Sequence, residues 1–279
     1  MADLMDRQLF NKLCTLAQDC ARFACENQKK IHISFKDDGS VLTETDLAVS
    51  KRLVGAVSDL FPGCNIVSEE APAHNLTWDS PWTFVIDPID GTDAYCQGMD
   101  SWCVSVGILD RDLKPCGGII CAPHFGRSSE GITVTTLPGE DEVYLNGELL
   151  NSPRHKEIPA QLTMGSDTLK HIDMSQYKGK LRAFGSSILH LLSPCMFSRI
   201  DGCIDPVCYA WDTASAHAVV LKQGMVFVYT DGSPVSYTRQ MLAGKKAHPM
   251  DMFAGPGSCA DWMLEHLPPL RTSVPVELL

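Results

Sequence analysis

Apolar residues recur at Leu9, Leu13, Leu16, Ala17, Cys20 and Ala24, the stripe of an amphipathic helix over residues 4–27. A short strand is expected over 31–35, then a turn at Lys36-Asp37-Asp38-Gly39. A second helix is predicted over 43–60, where Thr43 or Thr45 can cap it and Glu44 and Asp46 suit its positive first turn. Phe61-Pro62-Gly63 stops it, and a strand over 64–68 carries Glu69 and Glu70 at its end. Residues 71–81, with two prolines, read as a mobile loop. The sharpest change of pattern follows at WTFVIDPIDGT, residues 82–92. An apolar run, 82–86, has the pattern of a strand buried on both faces and stops at Asp87, where a sheet opens onto a ligand crevice. Pro88 prevents regular pairing from continuing and Gly91 permits a tight path. Asp87 and Asp90 are thereby held close together on a stiff turn.

A first helical turn is expected at 93–97. Residues 102–109, 113–121, 131–135 and 142–145 alternate or run apolar, with turns at Asp110-Arg111 and Asn146-Gly147, and predict an antiparallel sheet. Prolines and charges near 151–161 mark a seam. Beyond it, strands over 162–166, 181–184, 202–205 and 225–229 alternate with helices over 174–177, 187–197 and 211–222, and Asp231-Gly232 makes a turn. The expected organisation is one compact unit. Residues 1–155 form its α+β part with the antiparallel sheet, and 156–279 its α/β part.

With 44% hydrophobic and 20% charged residues, the 279-residue chain has the composition of an ordinary globular protein with an ample core. A net charge of −11 argues against nucleic acid or anionic membrane as a partner. No apolar run approaches the roughly 18 residues that span a bilayer. The 12 cysteines include no CxxC pair, and residues 1–23 lack a signal-peptide pattern, so reduced thiols in a cytoplasmic protein are expected.

Paired carboxylates such as Asp87 and Asp90 repel unless a proton or cation lies between them, and magnesium prefers oxygen ligands of this kind. A polar turn capping the next helix explains an isolated DPxDG equally well. Other acidic motifs change that balance: SEE at Ser68–Glu70, DPIDGT at Asp87–Thr92 and WDTASA at Trp211–Ala216. In this order they resemble the signature of the inositol monophosphatase family, magnesium-dependent and lithium-sensitive phosphomonoesterases, with likeness from about Lys36 to about Gly232. The resemblance implies a layered αβαβα sandwich of the sugar phosphatase type, two or three Mg2+ ions and a homodimer. It places Glu69, Asp87, the Ile89 carbonyl, Asp90 and Asp212 as metal ligands, and Asp46, Thr92, Glu70 and Lys36 at the catalytic centre. In that scheme one ion supplies an activated water and the other neutralises the leaving group.

The amides around Gly91 and Thr92 are expected to bind phosphate. By pattern the Gly185-Ser186-Ser187 loop, which opens a helix, is equally a phosphate- or hydroxyl-binding start or a plain serine-capped loop, and the resemblance implies substrate binding there and at Asp90. The resemblance also implies that Asp205, seven before the WD aspartate, accepts a substrate hydroxyl or amine. These features favour inositol 1-phosphate, then histidinol phosphate. A nucleotide such as 3′-phosphoadenosine 5′-phosphate ranks lower, with fructose 1,6-bisphosphate beside it, because few basic residues lie near the motifs. Ser215 and His217 depart from the small residues usual after WD; His217 is expected at the surface or in packing, and Ser215 could alter substrate approach. A metal-binding scaffold acting through a protein partner is the alternative of another class.

Overall fold

The strand that carries the acidic turn, β5 (Thr83–Asp90), is buried along its whole length. It runs through Pro88 to Asp90, further than the sequence pattern indicates. Asp87 pairs with Ser105 and Asp90 with Cys103 on the next strand, so three steps on β5 oppose two on its partner. Residues three apart on a regular strand point to opposite faces; the extra residue of this bulge turns Asp87 and Asp90 to the same side.

The computed structural model describes residues 4–270 except 37, 38, 75, 127 and 154; Asp37 and Asp38 of the expected turn lie outside the described residues. Helix α1 (Arg7–Asn27) is capped by Asp6, whose carboxylate accepts from the amides of Gln8 and Leu9. A hairpin of β1 (Ile33–Phe35) and β2 (Val41–Thr43) leads into α2 (Glu44–Leu60). The cap of α2 is a reciprocal box between Thr43 and Asp46. Strand β3 (Asn65–Ser68) then lies parallel to β5, which brings the Glu69 end of one beside the Asp87 end of the other. Residues 71–74 are not loop but β4 (Ala71–His74), antiparallel to β3; Pro72 is tolerated because this is an edge strand.

After α3 (Thr92–Cys96), the first sheet continues through β6 (Cys103–Leu109), β7 (Pro115–Ala122), β8 (Ile132–Thr136), β9 (Tyr144–Leu145) and β10 (Glu148–Leu149). Its order is β10-β9-β8-β7-β6-β5-β3-β4. Asn146 and Gly147, both at positive φ, make the two-residue turn between β9 and β10.

The second part holds β11 (Gln161–Met164), α4 (Thr168–His171), β12 (Lys180–Arg182), α5 (Ser187–Met196), β13 (Gly202–Asp205), α6 (Ala214–Lys222) and β14 (Val226–Tyr229). The expected helix at 174–177 is a turn, closed from Tyr177 N to the Met174 carbonyl at 3.1 Å, and the helix lies earlier, at α4. The expected helix over 211–222 is broken: Ala210–Asp212 is a 3-10 turn, and Thr213 at φ −127° separates it from α6. Among the described residues, three elements beyond the turn at residue 232 carry no strong pattern in the sequence. They are α7 (Arg239–Gly244), β15 (Met252–Gly255) and α8 (Gly257–His266). β15 is inserted between β13 and β14 in the second sheet, ordered β12-β11-β13-β15-β14, antiparallel to both neighbours.

The layers follow from which faces are apolar. Phe10 and Leu13 of α1 and Leu53 of α2 pack on Phe84, Ile86 and Val104 of the first sheet. Its other face meets α5 and α6 through Ile120, Val134, Leu189 and Val219. Phe253 and Leu162 of the second sheet meet Met263 of α8 on the far side. The result is the αβαβα sandwich that the sequence leads one to expect. α6 comes unusually near the first sheet. A Cβ on Gly107 would stand 2.6 Å from the Ala214 Cβ, and one on Gly118 2.7 Å from the Ser215 carbonyl. No described helix is long and apolar enough to cross a membrane, and all 12 cysteines are free thiols.

Candidate active site

The bulge in β5, the end of β3 and the 3-10 turn before α6 converge. One carboxylate oxygen from each of Asp87, Asp90 and Asp212 lies within 4.8 Å of the others. Asp90 is buried and Oδ2 is well satisfied: it accepts from the Ser186 hydroxyl, the Ile188 amide at 2.9 Å and the Cys103 thiol at 3.7 Å. Burial pushes its carboxyl up to about 6, opposed by those donors. Asp87 Oδ1, by contrast, is buried without a hydrogen-bond partner. Burial first, then Glu69, Asp90 and Asp212, hold its carboxyl well above the usual carboxylate range. Asp212 is displaced the same way by burial and by Asp90 and Glu69, although its Oδ2 accepts from Tyr209 N at 2.6 Å. Such a set binds a proton or a hard cation far more readily than it tolerates bare charge.

Beside the cluster, Lys36 Nζ stands 2.6 Å from both Glu69 Oε1 and Glu70 Oε1. Burial alone would lower the ammonium's pKa; the two glutamates outweigh it and hold Lys36 above its ordinary value. Glu69 is raised to about 7 by burial and by Glu70, with Lys36 opposing. Thr92 Oγ1 lies 2.9 Å from the Ile89 carbonyl and 3.3 Å from Asp46 Oδ1. Asp46 is fully buried at the start of α2, and burial pushes it up to about 6. Its cap role and its contact with Thr92 therefore coexist.

Gly91 is left-handed at φ 90°, and a Cβ there would sit 2.9 Å from the Gly185 carbonyl, so the two glycine turns touch. Ser186 is not a free hydroxyl for substrate: it is fully buried, bonds Asp90 and caps α5 by accepting from Leu189 N. Ser187 is half-buried and stands near Asp205, where its hydroxyl helps to hold that carboxyl down. Asp205, at the end of β13, is fully buried; its Oδ1 has no partner and its Oδ2 meets the Cys208 thiol at 3.6 Å. Burial and nearby Asp90 raise it to about 7. Ser215 is fully buried, with its backbone against β7. His217 is buried, not at the surface, and its Nδ1 meets the Tyr237 hydroxyl at 3.1 Å.

The same hydroxyl lies 3.0 Å from Thr213 Oγ1, which also meets His248 Nε2 at 3.1 Å. His248 Nδ1 in turn meets the Tyr229 hydroxyl at 2.9 Å. This buried network supports the residue directly after Asp212. The sequence motifs also pass over Lys245, whose Nζ donates to the Glu69 carbonyl at 2.8 Å and lies 5.7 Å from the Trp211 ring centre. The Lys245-Lys246 pair in an acidic chain is the signal that could have marked it. A cavity of about 700 Å³ between α1 and β7–β8, lined by Cys14, Gln18, Arg22 and Thr133 among others, contains none of these groups.

Residues 6–254 match the model of the inositol monophosphatase family. A 3′(2′),5′-bisphosphate nucleotidase, CysQ, of Buchnera aphidicola is 27% identical over 81% of this chain and 87% of its own. Inositol monophosphatase 2 of Solanum lycopersicum is 26% identical over 81% and 88%. A solved IMPase/NADP phosphatase complexed with Mg2+ and phosphate superposes at a TM-score of 0.76, with 15% identity, over 93% of this chain and 94% of that one.

Proposed function

From a chain that belongs to the inositol monophosphatase family and is a phosphoric monoester hydrolase, we propose magnesium-dependent hydrolysis of a small phosphate monoester on a hydroxylated scaffold. The observation that carries this is the convergence of Asp87, Asp90 and Asp212 within 4.8 Å, with one buried Asp87 oxygen unpartnered. These donors fit a hard divalent cation, with Glu69 and the Ile89 carbonyl as further oxygen ligands. When bound, magnesium supplies charge neutralisation and an acidified water.

The chain's own residues do the rest. Thr92 Oγ1, within reach of Asp46 Oδ1, can orient a water and pass its proton to Asp46, whose carboxyl is pushed up to about 6. Lys36 keeps Glu69 and Glu70 in place by offsetting their mutual repulsion. The amides at Gly91 and Thr92 suit a phosphate, and the absence of a side chain at Gly91 lets this turn close against Gly185. The free Oδ1 of Asp205 suits a hydroxyl donor on a polyol or a ribose. Fixed position and charge account for most of the catalysis, as phosphoryl transfer requires.

Inositol 1-phosphate is the simplest polyol monoester with which to test the hydrolytic step. A nucleoside bisphosphate is the rival reading, favoured by Lys245 beside the stacked Tyr209 and Trp211 rings. The test is phosphate release in magnesium from inositol 1-phosphate, histidinol phosphate, 3′-phosphoadenosine 5′-phosphate and fructose 1,6-bisphosphate, with Asp87→Asn as control. Release lost in the control is the expected result. Full turnover by Asp87→Asn would overturn the assignment, and magnesium binding without release from any of the four would favour the scaffold alternative.

A further inference from the structure

We propose that Lys245, with the Trp211 ring beside it and Tyr209 stacked on that ring, forms a subsite for a second phosphate of the substrate, selecting the nucleoside bisphosphate class. This rests on the carboxylate cluster being the hydrolytic centre. Lys245 lies next to that cluster by way of Glu69, yet it differs from Lys36 in one respect. Lys36 is committed to two carboxylates, whereas Lys245 makes no ion pair among the described residues and donates to a neutral carbonyl. An ammonium has three donors; one is used, and two remain for an incoming anion.

Its placement is built. Lys245 ends α7 in the left-handed region, φ 46° and ψ 50°, a conformation that a residue with a side chain adopts at a cost. The turn is fixed by hydrogen bonds from Lys245 N to Leu242 O and from Lys246 N to Met241 O, at 3.4 and 2.9 Å. Burial lowers the ammonium's pKa, and Glu70 and Glu69 oppose that. Trp211 is nearly buried and forms the back of the subsite, while Tyr209, 36% exposed, stacks on it at 4.6 Å and 7°. Tyr209 N is also the donor to Asp212, which fixes this aromatic surface at the edge of the metal cluster. A flat base can stack on such a ring. A bisphosphate brings roughly two more negative charges than a monoester to an acidic rim, and an uncommitted cation there offsets the added repulsion. A polyol monophosphate needs neither the ring nor the second cation.

Binding of adenosine 3′,5′-bisphosphate and of 3′-AMP is measured by calorimetry in calcium, which oxygen ligands also accept, for the wild type, Lys245→Gln, Lys245→Arg and Tyr209→Leu. The second phosphate is expected to raise wild-type affinity at least tenfold. Lys245→Gln should lose most of that gain, Lys245→Arg should keep it, and Tyr209→Leu should weaken both nucleotides together. No gain in the wild type overturns the subsite. So does an equal gain in Lys245→Gln, because a lysine that only anchors the Glu69 carbonyl would affect both ligands alike. Phosphate release in magnesium is read separately: a tenfold gain with no release leaves the subsite standing and overturns the hydrolytic reading.

Discussion

The two walls of the acidic site are held in different ways. On the first-sheet side, Glu69 and Glu70 share the Lys36 ammonium, and Asp46 is tied to its own helix cap. On the second-sheet side, Asp205 and Asp212 have no ion pair among the described residues; a thiol and one backbone amide are their partners. Like charges cost least where a cation is already covalently supplied by the chain. Lys36 therefore offsets the glutamate pair of the first wall in advance, whereas Asp87 and Asp90 beyond it, with Asp212 opposite, wait for a cation from solution. Metal removal should act mainly on those three aspartates.

The largest effect that this difference predicts is at Asp212. Asp212→Asn should lower magnesium-dependent phosphate release by on the order of 10³-fold, the several kcal/mol that a bound cation contributes. A loss smaller than tenfold in a steady-state assay would place the second wall outside the reaction.

Next comes the pH dependence of stability without metal. Asp46 and Asp90 are raised to about 6, and Glu69 and Asp205 to about 7, by burial. A raised carboxyl contributes stability that is present below its unfolded value near 4 and is lost as pH rises through the folded value. In EDTA the thermal midpoint should accordingly fall between about pH 4 and pH 8. Saturating magnesium should flatten that fall, since it favours the ionised forms and stabilises by mass action. A metal-free midpoint that rises over the same window would contradict the comparison.

The smallest effect concerns the support beneath Asp212. Tyr237→Phe removes the hydroxyl shared by Thr213 and His217 and should cost roughly 1–3 kcal/mol, the penalty for leaving buried polar partners unsatisfied. Urea unfolding measures that cost, and magnesium titration of the same variant should show weaker binding. A normal magnesium affinity with reduced stability would confine the network to folding.

The features legible in the sequence are local ones. DPIDGT compresses two carboxylates, a proline and a glycine into one bulge, so its chemistry can be inferred without its partners. The apolar stripes of α1 and α2 are similarly self-contained. Long-range pairing hides the rest. Nothing near Met252–Gly255 announces that its partners are β13 and β14, and Pro72 conceals an edge strand that needs few amide donors. The WD helix reads as continuous because Thr213 gives no breaking signal, yet the break lets Asp212 turn back to accept from Tyr209. Lys245 is adjacent to Glu69 only after the chain has folded back over 176 residues. The low rank given to nucleotides came from a shortage of basic residues near the motifs in sequence, and spatial proximity supplies one.

The insertion of β15 between β13 and β14 also fixes an order of events during synthesis. Asp205 pairs with Met252, Val207 N donates to Asp251, and His248 N donates to the Cys208 carbonyl. A nascent chain on the ribosome that has reached residue 240 possesses every acidic motif but lacks the strand and the loop that pin two of those acids. Until residues 252–255 have emerged, the segment 205–213 lacks the strand and loop that pair with it, so newly made chains gain their metal-binding geometry only after every acidic motif has already been translated.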